Sequence, residues 1–279
     1  MNDNEEHCEL RLLVIHRGGV RACLGFRETL AGFIFVGCYG NIITMRLLDE
    51  EERTMLLFTK TRLLAVACAV SMLYPILGTK KAFQSLLAGL AKNTPSDLVS
   101  SLYQFYFVFV FFFLLPLCLM KKQERQNLGF TLGNIKLGTL STVAFVALCI
   151  PLVWFGSKDP DMLAEYPLSK KFTDSFSLTL IYVFSLFLFY VGWEAVFRGV
   201  LLFSLVTSLG NLSAIMIQTA ISCILHIGKP TAEYVASIPF GIFMGILAIR
   251  THSFLYPVLT HFLIGLMNDM ICAQRQHLF

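Results

Sequence analysis

The feature that most limits what this chain can fold into is its division into long runs free of Lys, Arg, Asp and Glu. They are Thr29–Met45, Leu63–Thr79, Leu98–Met120, Leu137–Ser157, Ser175–Trp193, Gly199–Leu225, Tyr234–Ile249 and Ser253–Asn268. About 20 apolar residues cross a hydrocarbon core, with a range of about 17–25. Inside that core a segment must satisfy its own backbone polar groups, so runs of this length predict helices and leave no strand reading. Most of them fit one crossing each once a flanking residue reaches back to the interface. Tyr234–Ile249 and Ser253–Asn268 are short, which predicts helices tilted inward against other helices. Gly199–Leu225 is too long for one span. Gly210-Asn211-Leu212-Ser213 supplies the break, because Gly ends helices and Asn or Ser caps the next. One helix should therefore end near Leu209 and another begin near Asn211. The fold class expected is all-α, a polytopic bundle of about eight transmembrane helices.

Composition agrees. The 279 residues are 56% hydrophobic and only 14% charged, where a soluble domain carries about 25% charged residues. A net charge of +4 without a basic, aromatic-interleaved stripe argues against nucleic-acid binding. The eight cysteines (Cys8, Cys23, Cys38, Cys68, Cys118, Cys149, Cys223, Cys272) show no CxxC spacing, so neither a zinc ribbon nor a disulfide framework is indicated. Most lie in apolar runs, where cysteine acts as a small hydrophobe. Residues 1–28 mix Glu with Arg and lack an apolar signal-peptide core; they read as a polar lead-in to a single membrane domain over 29–279. Lys and Arg fall almost evenly on both sides of an eight-helix arrangement, so the positive-inside rule gives no orientation. Neither Gly-x-x-x-x-Gly-Lys nor a strand-borne Gly-x-Gly-x-x-Gly occurs, and no nucleotide or other cofactor is predicted.

Against this apolar background four polar residues stand out. Glu194 and Arg198 interrupt Tyr190-Val-Gly-Trp-Glu-Ala-Val-Phe-Arg-Gly-Val-Leu-Leu202. An ionisable residue at mid-membrane costs about 2.5–3.5 kcal/mol even on the milder scale. Spaced i,i+4 on one helical face, the two can partly neutralise each other. Glu194 is either a general base tuned by the adjacent cation or half of a structural ion pair. His226, in Ile221-Ser-Cys-Ile-Leu-His226-Ile-Gly-Lys229, is either a water-orienting imidazole or an interfacial histidine at a helix end. His261, in Pro257-Val-Leu-Thr-His261-Phe-Leu-Ile-Gly265, needs a hydrogen-bond partner whichever role it has. Glu194, His226 and His261 also resemble a three-ligand catalytic zinc set. No His-Glu-x-x-His or strong i,i+4 ligand pair supports that, so zinc is the weaker reading.

The order of these residues resembles the CPBP family, the CAAX-processing and bacteriocin-processing intramembrane proteases also labelled abortive infection proteins. Glu-x-x-x-Arg-Gly falls on one helix, a His closes the next, and a His stands midway along the last. Leu128-Gly-Phe-Thr-Leu-Gly133 with Lys136-Leu-Gly138 is similar to the family's segment before its fourth helix. His226-Ile-Gly-Lys-Pro230 through Gly241, Gly245 and Arg250 is similar to a bacterial branch. The resemblance spans about 128–270. It implies an intramembrane endopeptidase in which a glutamate activates water and two histidines orient it, helped by an oxyanion-stabilising Asn. By resemblance Glu194, Arg198, His226 and His261 are the catalytic set. The chain departs from the pattern at three places. Trp193 stands for the first Glu, Ser222 for a Phe, and Gly265 for the Asn, with Asn268 three residues on. The implied setting is a bacterial plasma membrane, with membrane lipids and a membrane-associated peptide or protein as partners. A catalytically impaired scaffold or immunity protein of the same fold is the alternative. A proton-relay transporter ranks below both, since no inverted repeat is visible.

Overall fold

The computed structural model describes residues 50–91 and 96–278. The expected lead-in 1–28 and the run Thr29–Met45 lie outside these residues. Among the described residues the longer elements are all helical. They are α1 (Glu50–Leu73), α2 (Lys80–Ala91), α3 (Asp97–Val108), α4 (Ile135–Gly156), α5 (Phe176–Glu194), α6 (Leu202–Ile224), α7 (Thr231–Thr251) and α8 (Leu255–Arg275). A π-turn, Tyr74–Gly78, follows α1; α3 runs on through another, Phe109–Leu114, to Leu119; and a third, Ala195–Leu201, joins α5 to α6.

Six stretches of the described chain are long and apolar enough to cross a membrane, the longest being Phe176–Ile224 with 49 residues. That stretch is broken where the sequence places the break. Gly210 has φ 78° and ψ 170° inside an otherwise helical path. This conformation is open essentially to Gly alone, so Gly210→Ala is expected to destabilise the fold by about 1–3 kcal/mol, read as a lowered thermal midpoint in detergent. The short runs at 234–249 and 253–268 misjudge their helices. Helices α7 and α8 are 21 residues each, because Glu233, Arg250, Asp269 and Arg275 lie within them and not beyond their ends.

The outer surface is apolar. On α4, Leu140, Val143, Leu148, Leu152 and Phe155 are all exposed. Such a continuous apolar exterior fits lipid, since soluble monomers rarely expose it. The polar groups turn inward instead: Glu194, Arg198, Gln218, Thr260 and Asp269 are buried. They are placed by a core in which α8 packs between α4 and α5, α6 packs along α7, and the 195–201 turn packs against α1 and α6. Gln218 on α6 donates to the Gly241 carbonyl on α7 at 2.9 Å, and Thr142 on α4 meets Thr260 on α8 at 3.0 Å. Interhelical hydrogen bonds of this kind hold helices together where no hydrophobic difference from lipid exists to do so. The five described cysteines are free, and Cys149, Cys223 and Cys272 are buried as their apolar runs predict.

Candidate active site

The end of α5 sets the site. Glu194 is the last residue of α5, and the wider π-turn begins at the next residue. Such wide turns are rare and recur at functional sites, where they re-aim side chains. Here the turn leaves the whole segment 192–202 buried. Glu194 has no exposed surface and Arg198 is 1% exposed. Glu194 Oε1 accepts from Arg198 Nη1 at 3.1 Å and from His261 Nδ1 at 2.5 Å. Its Oε2 is buried without a partner among the described residues. The structure thus joins three of the four expected residues directly. Because a carboxylate can only accept, the His261 ring nitrogen facing it carries the hydrogen. The other ring nitrogen, Nε2, is left for the cavity on the far side.

His226 lies in the turn between α6 and α7. Its Nδ1 is 2.7 Å from the Ser222 carbonyl one turn back. That bond uses the backbone of residue 222, so Ser serves there as well as Phe. A carbonyl only accepts, so Nδ1 carries the hydrogen here too. Burial pushes the His226 pKa below its ordinary value and favours the neutral ring. Its bare Nε2 faces Glu233 Oε1 at 3.9 Å.

His226 and His261 line the same two cavities, of about 230 and about 50 Å³, and share that lining with Tyr166, Tyr190 and Glu233. Arg198, Gly265 and Asn268 also line the larger one. Glu194 lines neither, being screened by His261 and Arg198. Glu194, His226 and His261 do not form a metal-holding group. Among the described residues no cluster of three His, Cys, Asp or Glu side chains does.

Two of the departures are explained by packing. Trp193 is 4% exposed and sits among Tyr74, Phe112, Phe189 and Phe197, with its ring edge-on to His226 at 5.7 Å. It fills with aromatic surface the place a carboxylate would take. At Gly265, an added Cβ would overlap the Tyr190 hydroxyl. Tyr190 therefore excludes an Asn from that position and brings its own hydroxyl there. Its ring packs on His261 with centroids 4.3 Å apart.

Three cavity residues escape a sequence reading. Tyr190 looks like ordinary apolar filling of a span, Glu233 like the charge that ends one, and Tyr166 like part of a Pro-flanked loop. Glu233 Oε2 accepts from the Tyr166 hydroxyl at 2.7 Å. Burial, with the Glu233 carboxylate beside it, pushes the Tyr166 phenol well above its ordinary range, so it stays a donor. Lys229, which also lines the smaller cavity, pairs with Glu165 at 2.7 Å. Burial disfavours the Lys229 charge, but Glu233 and Glu165 outweigh it and raise its pKa. The signal that could have found Glu233 is its place seven residues after His226, on the first turn of the next helix.

Comparison with known proteins bears on the same stretch. A family model described as Type II CAAX prenyl endopeptidase Rce1-like matches residues 175–267, about a third of the chain. No curated protein and no solved structure matches it. The match runs from the start of α5 into α8 and takes in Glu194, Arg198, His226, Glu233 and His261. With six helices apolar and long enough to cross a bilayer, the chain is an integral membrane protein whose residues 175–267 match the family model of the Rce1-like CAAX prenyl endopeptidases.

Proposed function

We propose that this protein is an intramembrane endopeptidase that hydrolyses a peptide bond in a membrane-associated peptide or protein. The observation that carries the reading is the convergence of His226, His261 and Tyr190 on one partly enclosed cavity, with a buried carboxylate behind His261. A catalytic side chain held by a second, buried group is the general arrangement of activated sites. Glu194 is assigned the supporting part here: it has no surface in the cavity, so it fixes the His261 ring and balances Arg198. His261, so fixed, polarises the scissile carbonyl through Nε2 when that nitrogen carries a hydrogen.

The missing Asn is made good by Tyr190, whose hydroxyl occupies the space beside Gly265. A phenol donates one hydrogen bond to a developing oxyanion, as an amide would. The proposed setting is a bacterial plasma membrane, on the resemblance of the 226–250 segment to bacterial members.

The experiment is cleavage of a pool of membrane-inserted peptides, with and without a prenylated C-terminal Cys, by purified protein in proteoliposomes. Wild type is expected to cleave at least one, and His226→Ala and His261→Ala none. A second reading, a non-catalytic scaffold, is favoured by Trp193 alone. Wild type inactive on every peptide while still retaining one tightly would establish it over the peptidase.

A further inference from the structure

The peptidase reading leaves one role unfilled. In the family pattern a glutamate at 193 activates water, and here Trp193 cannot take a proton. We infer that Glu233, on the first turn of α7, is the general base, acting with His226; the inference rests on the peptidase reading above.

The geometry begins with two acceptors that face each other. His226 has its hydrogen on Nδ1, bonded to the Ser222 carbonyl, and presents a bare Nε2. Glu233 Oε1 lies 3.9 Å from that nitrogen. This is too long for a direct hydrogen bond. Two acceptors at this range call for a shared donor, and a water that gives one hydrogen to each fits between them. With both hydrogens so used, its lone pairs turn away from Glu233 and His226. Both side chains line the larger and the smaller cavity, as do His261 and Tyr190, so those lone pairs face the space where a carbonyl would be bound.

Glu233 is also held as a base must be. Its Oε2 accepts from the Tyr166 hydroxyl at 2.7 Å, which fixes the carboxylate and leaves Oε1 for the water. The side chain is 23% exposed, against none for Glu194. Water therefore reaches Glu233, at the membrane-surface end of α7, more readily than it reaches Glu194. The carboxylate has in effect moved from α5, where Trp193 now fills the position, to the first turn of α7.

In the step, the water oxygen bonds to the scissile carbonyl carbon and one water proton passes to Glu233. The carbonyl π pair moves to oxygen, and Tyr190 donates to the resulting oxyanion. When the oxyanion collapses, the carbon–nitrogen bond breaks. The nitrogen keeps that electron pair and takes the proton from Glu233. One water is consumed, a carboxylic acid and an amine are released, and Glu233 ends ionised as it began.

The test compares kcat of wild type, Glu233→Gln and Glu233→Ala on a peptide the wild type cleaves. Glu233→Gln keeps an oxygen for Tyr166 but cannot take a proton, so kcat should fall about 10²–10⁴-fold, the usual worth of a positioned base. The thermal midpoint should match wild type, which separates loss of the base from loss of the fold. Glu233→Ala should regain turnover as formate is added, because a small carboxylate can enter the vacated space; a residue that only holds the structure would show no such rescue. Wild-type-like turnover of Glu233→Gln overturns the inference and leaves the peptidase reading standing. An active Glu233→Ala with no formate dependence overturns it as well. Wild type that cleaves no peptide overturns both.

Discussion

Arg198→Met should sharply lower the thermal midpoint in detergent. Arg198 is 1% exposed and donates to a carboxylate with no exposed surface. Removing one partner of a buried pair strands the other, at a cost of about 3–5 kcal/mol. Since His261 still donates to Glu194, the lower end of that range applies. At about 2–4 °C per kcal/mol for a domain of this size, a drop of about 6–12 °C follows. Replacing both partners is a different matter. Apolar residues of similar volume in place of a buried pair are often neutral or stabilising. Glu194→Leu with Arg198→Met should therefore recover most of the midpoint. Peptide cleavage should not recover, because His261 has lost the carboxylate that orients it. Recovery of both would reduce the pair to a structural feature. Recovery of neither would show that the π-turn itself depends on the charges.

The second large effect is on rate. Tyr190→Phe removes a hydroxyl that has no hydrogen-bond partner among the described residues, so stability should hardly change. If that hydroxyl donates to the oxyanion, kcat should fall about 10²–10³-fold, the usual effect of losing one such donor, with little change in KM. The close approach to Gly265 offers a reciprocal test. Gly265→Asn alone should misfold or lose activity, because its Cβ meets the Tyr190 ring and hydroxyl. In a Tyr190→Ala background the space opens, and Gly265→Asn should recover part of the rate that Tyr190→Ala loses. Steady-state kinetics of the four proteins checks both statements. An unchanged kcat for Tyr190→Phe would remove the hydroxyl from the chemistry.

Much of the fold was legible because membrane spans announce themselves by the absence of charge. The runs at 63–79, 98–120, 137–157, 175–193 and 199–225 correspond to observed helices, and the break at Gly210 falls where Gly precedes Asn. The ends of α7 and α8 were misplaced for the same reason that made the rest visible. Glu233 and Asp269 read as boundaries, whereas both belong to helices and point at polar partners, Tyr166 and Tyr182.

The site was half legible. Glu194, Arg198 and His261 are costly in an apolar run, so they stood out and proved to touch. Glu233 stands beside Lys229 and Pro230 at a helix start, where a charge usually meets water, and its place seven residues after His226 is the one mark in the string that it faces a cavity. Tyr190 and the π-turn were invisible on other grounds. Tyrosine is common filling in a span, and the wider turn has no sequence period that separates it from an α-helix. The missing Glu at 193 and Asn at 265 were plain in the sequence. What could replace them was not, since Glu233 approaches from α7 and the Tyr190 hydroxyl reaches Gly265 across helices α5 and α8.

Addition of water to a peptide bond in this cavity, within the membrane, can be read directly by mass spectrometry. The peptide pool is incubated with wild type in proteoliposomes made up in H2(18)O. Paired fragments from one internal bond are expected, with a single 18O in the new carboxyl terminus and no such fragments from His226→Ala. Intact peptides throughout, or fragments equal in wild type and His226→Ala, would mean that this cavity does not hydrolyse a peptide bond.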